Sequence, residues 1–146
     1  MKKLKSLSLA ILSLLIFSLP LCACGHKGNL DHVFENPDSI TVSGGTISSL
    51  SPAELTDEKD MRTVTDYFTG IDYALGEENA EYTGCTVYIK SADREVEIYV
   101  TDAGKITVTV IDSNKIQTVY TSETGAANYD GLFALITAYQ GKALNR

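Results

Sequence analysis

Residues 85–110 read CTVYIKSADREVEIYVTDAGKITVTV, and three times in this stretch apolar residues alternate with polar ones. A period of two places alternate side chains on opposite faces of a β-strand, so the stretch predicts three consecutive strands. Val87, Ile98 and Val108 then belong to one apolar face. Because short loops join neighbouring antiparallel strands, the stretch predicts an antiparallel meander with one buried face.

The two turns inside this stretch predict its register. A two-residue loop at 92–93 and a three-residue loop at 102–104 both keep the apolar residues together. In the second loop Gly104 occupies the position that requires a left-handed backbone. The predicted pairs are Ile89 with Val96, Val87 with Ile98, Val100 with Ile106, and Ile98 with Val108.

A fourth strand is predicted over Ile116–Thr121, which is rich in β-forming residues. Its composition leaves open which side faces the core. A two-residue loop at 113–114 would pair Val108 with Val119. Tyr120 would then lie on the open face of the sheet.

The first helix has two candidate starts. Ser51 has capping-box spacing with Glu54, and Thr56 precedes two acidic residues that suit the first turn of a helix. We prefer Thr56, because a helical apolar period begins after it and Gly70 closes the helix. The apolar positions of that period are Met61, Val64, Phe68 and Ile71.

Short strands are predicted at Ser39–Ser43 and Thr46–Leu50, and a second helix at about Asp130–Gln140. The element order is therefore ββαββββα. Two amphipathic helices most simply cover the apolar face of one sheet. We expect an α+β fold: a four-stranded antiparallel meander with one or two short N-terminal strands, packed on one face by two helices.

The first 25 residues resemble a bacterial lipoprotein signal of the Gram-positive type. Lysines precede an apolar run from Leu7 to Leu21, whose roughly 15 residues are fewer than the ~20 of a membrane span. Leu21 and Ala23 precede Cys24 as in the lipobox of such proteins. The resemblance implies cleavage before Cys24, a lipid on its thiol, and a location on the extracytoplasmic face of the cell membrane. An uncleaved membrane anchor is the alternative.

This resemblance implies three parts: a signal peptide at 1–23, a lipidated Cys24 with a flexible tether at 24–37, and a single α+β domain at 38–146. A flexible tether of this length would hold the domain roughly 20 Å from the membrane. Removal of three signal lysines would take the net charge from −7 to −10. A chain with this negative charge is repelled by nucleic acid and by anionic lipid. Attachment to the membrane would therefore depend on the lipid anchor.

Residues 38–146 contain no histidine and no tryptophan. This excludes a Ser-His-Asp triad, a Cys-His pair and a His-ligated zinc site in that part, and we expect no catalytic residues, metal or cofactor. Cys85 is expected to be a buried small hydrophobe. A hydrolase that uses only the carboxylates of Glu95 and Glu97, about 7 Å apart on one strand face, is a remote alternative to a protein that is not an enzyme.

The predicted open face of the sheet carries aromatic and hydroxyl side chains. Tyrosines offer a large contact area with a polar tip, so this face is a hypothetical binding face for a protein or peptide. An ordinary solvated sheet surface is the other interpretation. The candidate residues are Tyr88, Tyr99, Tyr120, Thr107, Thr109 and Glu97.

The layout resembles small Gram-positive surface lipoproteins whose mature domain has no assigned function. The resemblance includes the lipobox, an ITVSGG strand, a Thr-Asp-Glu-Lys helix start, the meander and a Tyr-Asp-led final helix. Residues 87–106 are also similar to the strand region of PepSY-type domains, which implies an extracytoplasmic domain that modulates peptidases. We expect a binding domain for an envelope protein or peptide. The alternative is an inhibitor or immunity lipoprotein that blocks a secreted or wall-localised enzyme.

Overall fold

The computed structural model describes residues 27–45, 50–77 and 84–144. These residues form an α+β fold with one antiparallel sheet of eight strands and two α-helices. The strands are β1 Gly28–Asn29, β2 Ser39–Ser43, β3 Ala53–Leu55, β4 Asp72–Leu75, β5 Cys85–Lys90, β6 Arg94–Val100, β7 Ile106–Asp112 and β8 Gln117–Thr121. The helices are α1 Glu58–Thr65 and α2 Tyr129–Ala143.

The predicted α+β class is confirmed, and the meander is the middle of a larger sheet. The strand order is β1-β4-β8-β7-β6-β5-β2-β3. All four predicted pairs in β5, β6 and β7 are present. Gly104 has a φ of +72°, as its place in the three-residue loop requires.

The predicted register of the last hairpin is wrong by one residue. Its loop has three residues rather than two, because Lys115 adopts the left-handed conformation with a φ of +65°. Asp112 Oδ1 stabilises the turn by accepting hydrogen bonds from two backbone N–H groups within it. A shift of one residue moves every side chain to the other face, so Tyr120 pairs with Val108 on the core face.

Neither predicted start of α1 is correct. The N-cap is Asp57, whose side chain accepts hydrogen bonds from the backbone of Lys59 and Asp60. The helix also ends earlier than predicted, at Thr65. The segment after Ser51 instead forms β3, which pairs with β2. Positions 46–49 of the other predicted strand lie outside the described residues.

Helix α2 confirms the prediction for the C-terminal segment, with Asn128 as its cap. The buried side chains of both helices join those of the apolar sheet face in one core. Fully buried members include Ile40, Val64, Val87, Ile98, Val108, Leu132 and Ile136. Burial of one such side chain contributes about 1.5–3 kcal/mol.

The expectation of a flexible tether over 24–37 is wrong for its described part from residue 28 onward. Gly28 and Asn29 pair with β4, and the side chains of Leu30, Val33 and Phe34 are buried in the core. We call residues 30–38 the strap. Because five other strands lie between β1 and β2 in the sheet, the strap connects one end of the sheet to the other. The folded domain therefore begins before residue 38.

The helices of the described ranges are short. Among the residues that the structure describes, no helix is both long and apolar enough to cross a membrane.

Candidate binding face

The open face is the side of the sheet opposite the helices. Tyr88, Glu97 and Thr109 lie directly opposite one another in a row across β5, β6 and β7. Tyr99 and Thr107 lie opposite each other in the next row. Directly opposed side chains in antiparallel strands have Cβ atoms about 4.5–5.5 Å apart. Five of the six predicted residues therefore share one face of the sheet.

Tyr120, the sixth predicted residue, does not belong to this surface. It lies on the core face between Val108 and Leu75, and it packs against the core. Val119 takes its place on the open face, opposite Thr109. The prediction failed here because the sequence pattern did not reveal the left-handed Lys115.

The ring of Tyr88 is half-buried, and its hydroxyl is engaged by a neighbour on the same face. Interaction with the Glu95 carboxylate raises the pKa of the phenol. Lys115 Nζ lies 3.9 Å from Glu95 Oε1. A charged pair thus lies beside Tyr88 at the edge of the row.

The ring of Tyr99 is also half-buried, and its hydroxyl is bound to the backbone. It accepts a hydrogen bond from the Gly84 N–H at 2.7 Å. Gly84 is required there, because a Cβ atom at this position would lie only 1.7 Å from the Val100 carbonyl oxygen. This bond ties the tip of Tyr99 to the start of β5.

Threonines fill the space between the tyrosines and β8. The residue Thr107 is only 4% exposed and Thr109 only 8% exposed, although both lie on the face without helices. Thr107 Oγ1 has no hydrogen-bond partner. A buried hydroxyl without a partner costs about 1–3 kcal/mol, so the centre of the face carries an unsatisfied polar group. No pattern in the sequence distinguishes Thr107 from a solvated strand threonine.

The two carboxylates of the hydrolase alternative do not form a cleft. Glu97 is exposed on the open face, and Glu95 is paired with Lys115 at 3.9 Å. Neither of them lines the groove or the hollow described below.

A groove of about 900 Å³ lies between the strap and α1. Its floor is apolar, with Phe34 and Met61 each less than a tenth exposed. Its rim is acidic and includes Asp31, Glu35, Asp38, Glu58 and Asp66. The sequence could not indicate this groove, because one of its walls was expected to be a tether.

Cys24 lies outside the described residues, and the structure first describes the chain at Lys27. Lys27 Nζ is 2.8 Å from Glu123 Oε1. This hydrogen bond raises the pKa of Lys27 and lowers that of Glu123. The chain therefore enters the fold at the β1 edge of the sheet, beside the turn that follows β8.

The remaining thiol of the described residues is shielded. Cys85 is buried, and burial raises the pKa of its thiol to about 11. Within the described ranges, no group of three or more histidine, cysteine, aspartate or glutamate side chains is placed to hold a metal ion.

Comparison with protein-family models, with curated proteins and with solved structures finds no match to this chain.

Proposed function

We propose that this protein is a lipid-anchored extracytoplasmic domain, without enzymatic activity, whose open face binds an envelope protein or peptide. The observation that carries the proposal is the placement of two tyrosines on that face, one of which is fixed through its hydroxyl. Tyr99 is held through the backbone N–H of Gly84, and the pKa of Tyr88 is raised by the Glu95 carboxylate beside it.

Fixed aromatic side chains favour binding for a thermodynamic reason. A partner that contacts a mobile side chain loses about 0.5–1.5 kcal/mol for each side chain that becomes immobile. Tyr99 is already oriented by its bond to Gly84, so less of this entropy remains to be lost. Both rings are half-buried and present a partly exposed aromatic surface beside the buried threonines.

The proposed anchor is Cys24, and it is supported by the lipobox pattern alone. Cells that express the full chain are grown with radiolabelled palmitate. We expect Cys24→Ala to lose the label and Cys22→Ala to keep it. The reverse result would overturn the choice of Cys24.

The binding proposal is tested by crosslinking the full chain in the envelope and comparing single variants. Tyr88→Ala and Tyr99→Ala should each reduce the yield of a crosslinked complex at least several-fold. The matched control is Tyr120→Ala, which removes the same side chain from the other face of the same sheet. It should reduce the free energy of unfolding, because Tyr120 packs on the core, and keep the complex.

The outcomes separate binding from simple loss of stability. Equal loss of complex in all three variants would contradict the proposal, as would no loss in Tyr88→Ala and Tyr99→Ala. Identification of the captured protein then distinguishes a receptor or wall component from an enzyme that is held in stoichiometric complex. An enzyme whose turnover falls in that complex would favour the inhibitor or immunity alternative.

A further inference from the structure

We infer that the β1 edge of the sheet faces the bilayer, so that the open face stands at a fixed height above the membrane. The inference rests on the proposed lipid at Cys24. It replaces the picture of a domain on a long flexible tether, because the chain is already part of the sheet at Gly28.

The reach of the chain is the first argument. Only three residue steps separate Cys24 from Lys27, and a fully extended chain spans at most about 3.6 Å per residue. The Cα atom of Lys27 can therefore lie no more than ~11 Å from that of the lipidated cysteine. Lys27 directly precedes β1, and its Nζ atom lies 2.8 Å from Glu123 Oε1.

The charge of the surface around Lys27 is the second argument. A hollow of about 270 Å³ there is lined by two lysines and two acids, Lys27, Lys105, Asp72 and Glu123. These four charges sum to zero, whereas the chain from Cys24 onward has a net charge of −10. Where a membrane surface carries anionic lipid, a neutral protein surface is repelled less than the acidic remainder of the domain. The surface closest to the anchor is therefore electrostatically compatible with a bilayer.

The strand order sets upper limits on the heights above the membrane. Strands are spaced by about 4.8 Å, so β6 lies at most ~19 Å and β5 at most ~24 Å from the β1 edge, because the twist of the sheet shortens these distances. Tyr99 and Tyr88 are on these two strands. The far edge, β3, lies at most about 34 Å away. A partner of the open face must then present its contact surface close to the membrane.

The experiment measures the distance of three exposed positions from the bilayer. Thr124→Cys lies near the β1 edge, Glu97→Cys on the open face and Glu54→Cys on β3. Each full-length variant is expressed, processed by the cell and labelled with a fluorophore. It is then reconstituted in phosphatidylcholine and phosphatidylglycerol vesicles that contain a lipid with a nitroxide headgroup. We expect quenching to be strongest at position 124, weaker at position 97 and weakest at position 54.

A variant with a longer linker between Cys24 and the domain provides the matched control. Ten glycine and serine residues inserted between His26 and Lys27 add roughly 17–19 Å of root-mean-square reach without altering the described fold. We expect this insertion to reduce quenching at position 124 and to remove the gradient between positions.

Flotation of the vesicles separates the two proposals. Protein that floats with the vesicles and shows equal quenching at all three positions, or strongest quenching at position 54, overturns the orientation alone. Protein that does not float overturns the lipid anchor, and the orientation is overturned with it. A gradient of quenching that persists after the linker insertion also overturns the inference, because the short connection would then not be the cause of the gradient.

Discussion

Arg94 hydrogen-bonds the strap to the sheet. Its replacement by alanine should lower the free energy of unfolding more than most other single substitutions on the surface of this protein. Its Nε and Nη2 atoms donate hydrogen bonds to the carbonyl oxygens of Val33, His32 and Glu35, each at 3.0 Å. Its Nη1 atom donates to the carboxylate of the neighbouring Asp93. The perturbation is Arg94→Ala.

The magnitude follows from these contacts. A hydrogen bond from a charged group contributes about 1.5–3 kcal/mol when it is protected from water. The Arg94 side chain is 21% exposed, and the released carbonyls can be hydrated in part. We therefore expect the three bonds together to contribute about 3 kcal/mol rather than the full sum. The ion pair with exposed Asp93 should contribute no more than ~1 kcal/mol.

The assay is equilibrium urea unfolding of the full chain and of three variants. Arg94→Ala should lose about 3 kcal/mol of unfolding free energy, and Asp93→Ala no more than ~1 kcal/mol. Arg94→Lys should lose nearly as much as the alanine variant, because an ammonium group cannot bind three separate carbonyls with the geometry of a guanidinium. Loss of stability in Arg94→Ala no greater than in Asp93→Ala would refute the reasoning.

Three further predictions concern the core, a turn and alkaline pH. Because burial raises the pKa of Cys85 from 9.0 to about 11, its thiolate fraction at pH 8 falls about 100-fold. In a chain whose other cysteines are serine, a disulfide reagent should modify it only on unfolding, and rapid native-state modification would contradict this. Gly104→Ala and Gly70→Ala share a left-handed strain of about 1–2 kcal/mol. Of these two glycines, Gly104 is the one at which a Cβ atom would meet a backbone carbonyl oxygen, at 2.6 Å. The unfolding free energy of Gly104→Ala should therefore fall further than that of Gly70→Ala, and equal losses in the two variants would exclude that contact. Burial raises the pKa of Tyr129 and of Tyr139 from 10.0 to about 12, so the folded state retains these protons more tightly than the unfolded chain. The unfolding free energy should therefore hold below pH 10 and fall between about pH 10 and pH 12, and a flat profile over that range in circular dichroism melts would contradict this.

The meander was predictable because its information is local. Each strand alternates between apolar and polar residues, and in the second turn Gly104 suits the left-handed position. Ile98, for example, can face the core only if Val87 and Val108 lie beside it. The same logic placed Tyr88 and Tyr99 together on the open face.

The last hairpin shows where this reasoning fails. A lysine rarely adopts a positive φ, so nothing in the pattern marked Lys115 as the residue that lengthens the turn. Its conformation is stabilised by the Asp112 side chain, which accepts two backbone hydrogen bonds of the turn. One side-chain interaction thus decided the face on which Tyr120 lies.

The strap fails for a different reason. Its apolar residues, Leu30, Val33 and Phe34, follow neither a helical nor a strand period, because the segment crosses the sheet irregularly around one short 3-10 turn. Its stabilising partner is Arg94, about 60 residues away in the sequence. A single sequence does not reveal such a distant pairing of a side chain with carbonyl groups. The acidic groove was missed with it, since the strap forms one of its walls.

The pairing of β1 with β4 also changes what the proposed anchor would do for binding. A long tether would let the open face sample many heights, whereas a connection of three residue steps to a lipidated Cys24 would hold it within a narrow layer above the bilayer. Confinement of two partners to the same layer acts like a short linker, for which effective concentrations reach the millimolar range. Two tyrosines on one face would then suffice for a complex that is weak in solution and well populated at the membrane. The affinity of the free domain for its proposed partner should accordingly underestimate occupancy in the cell.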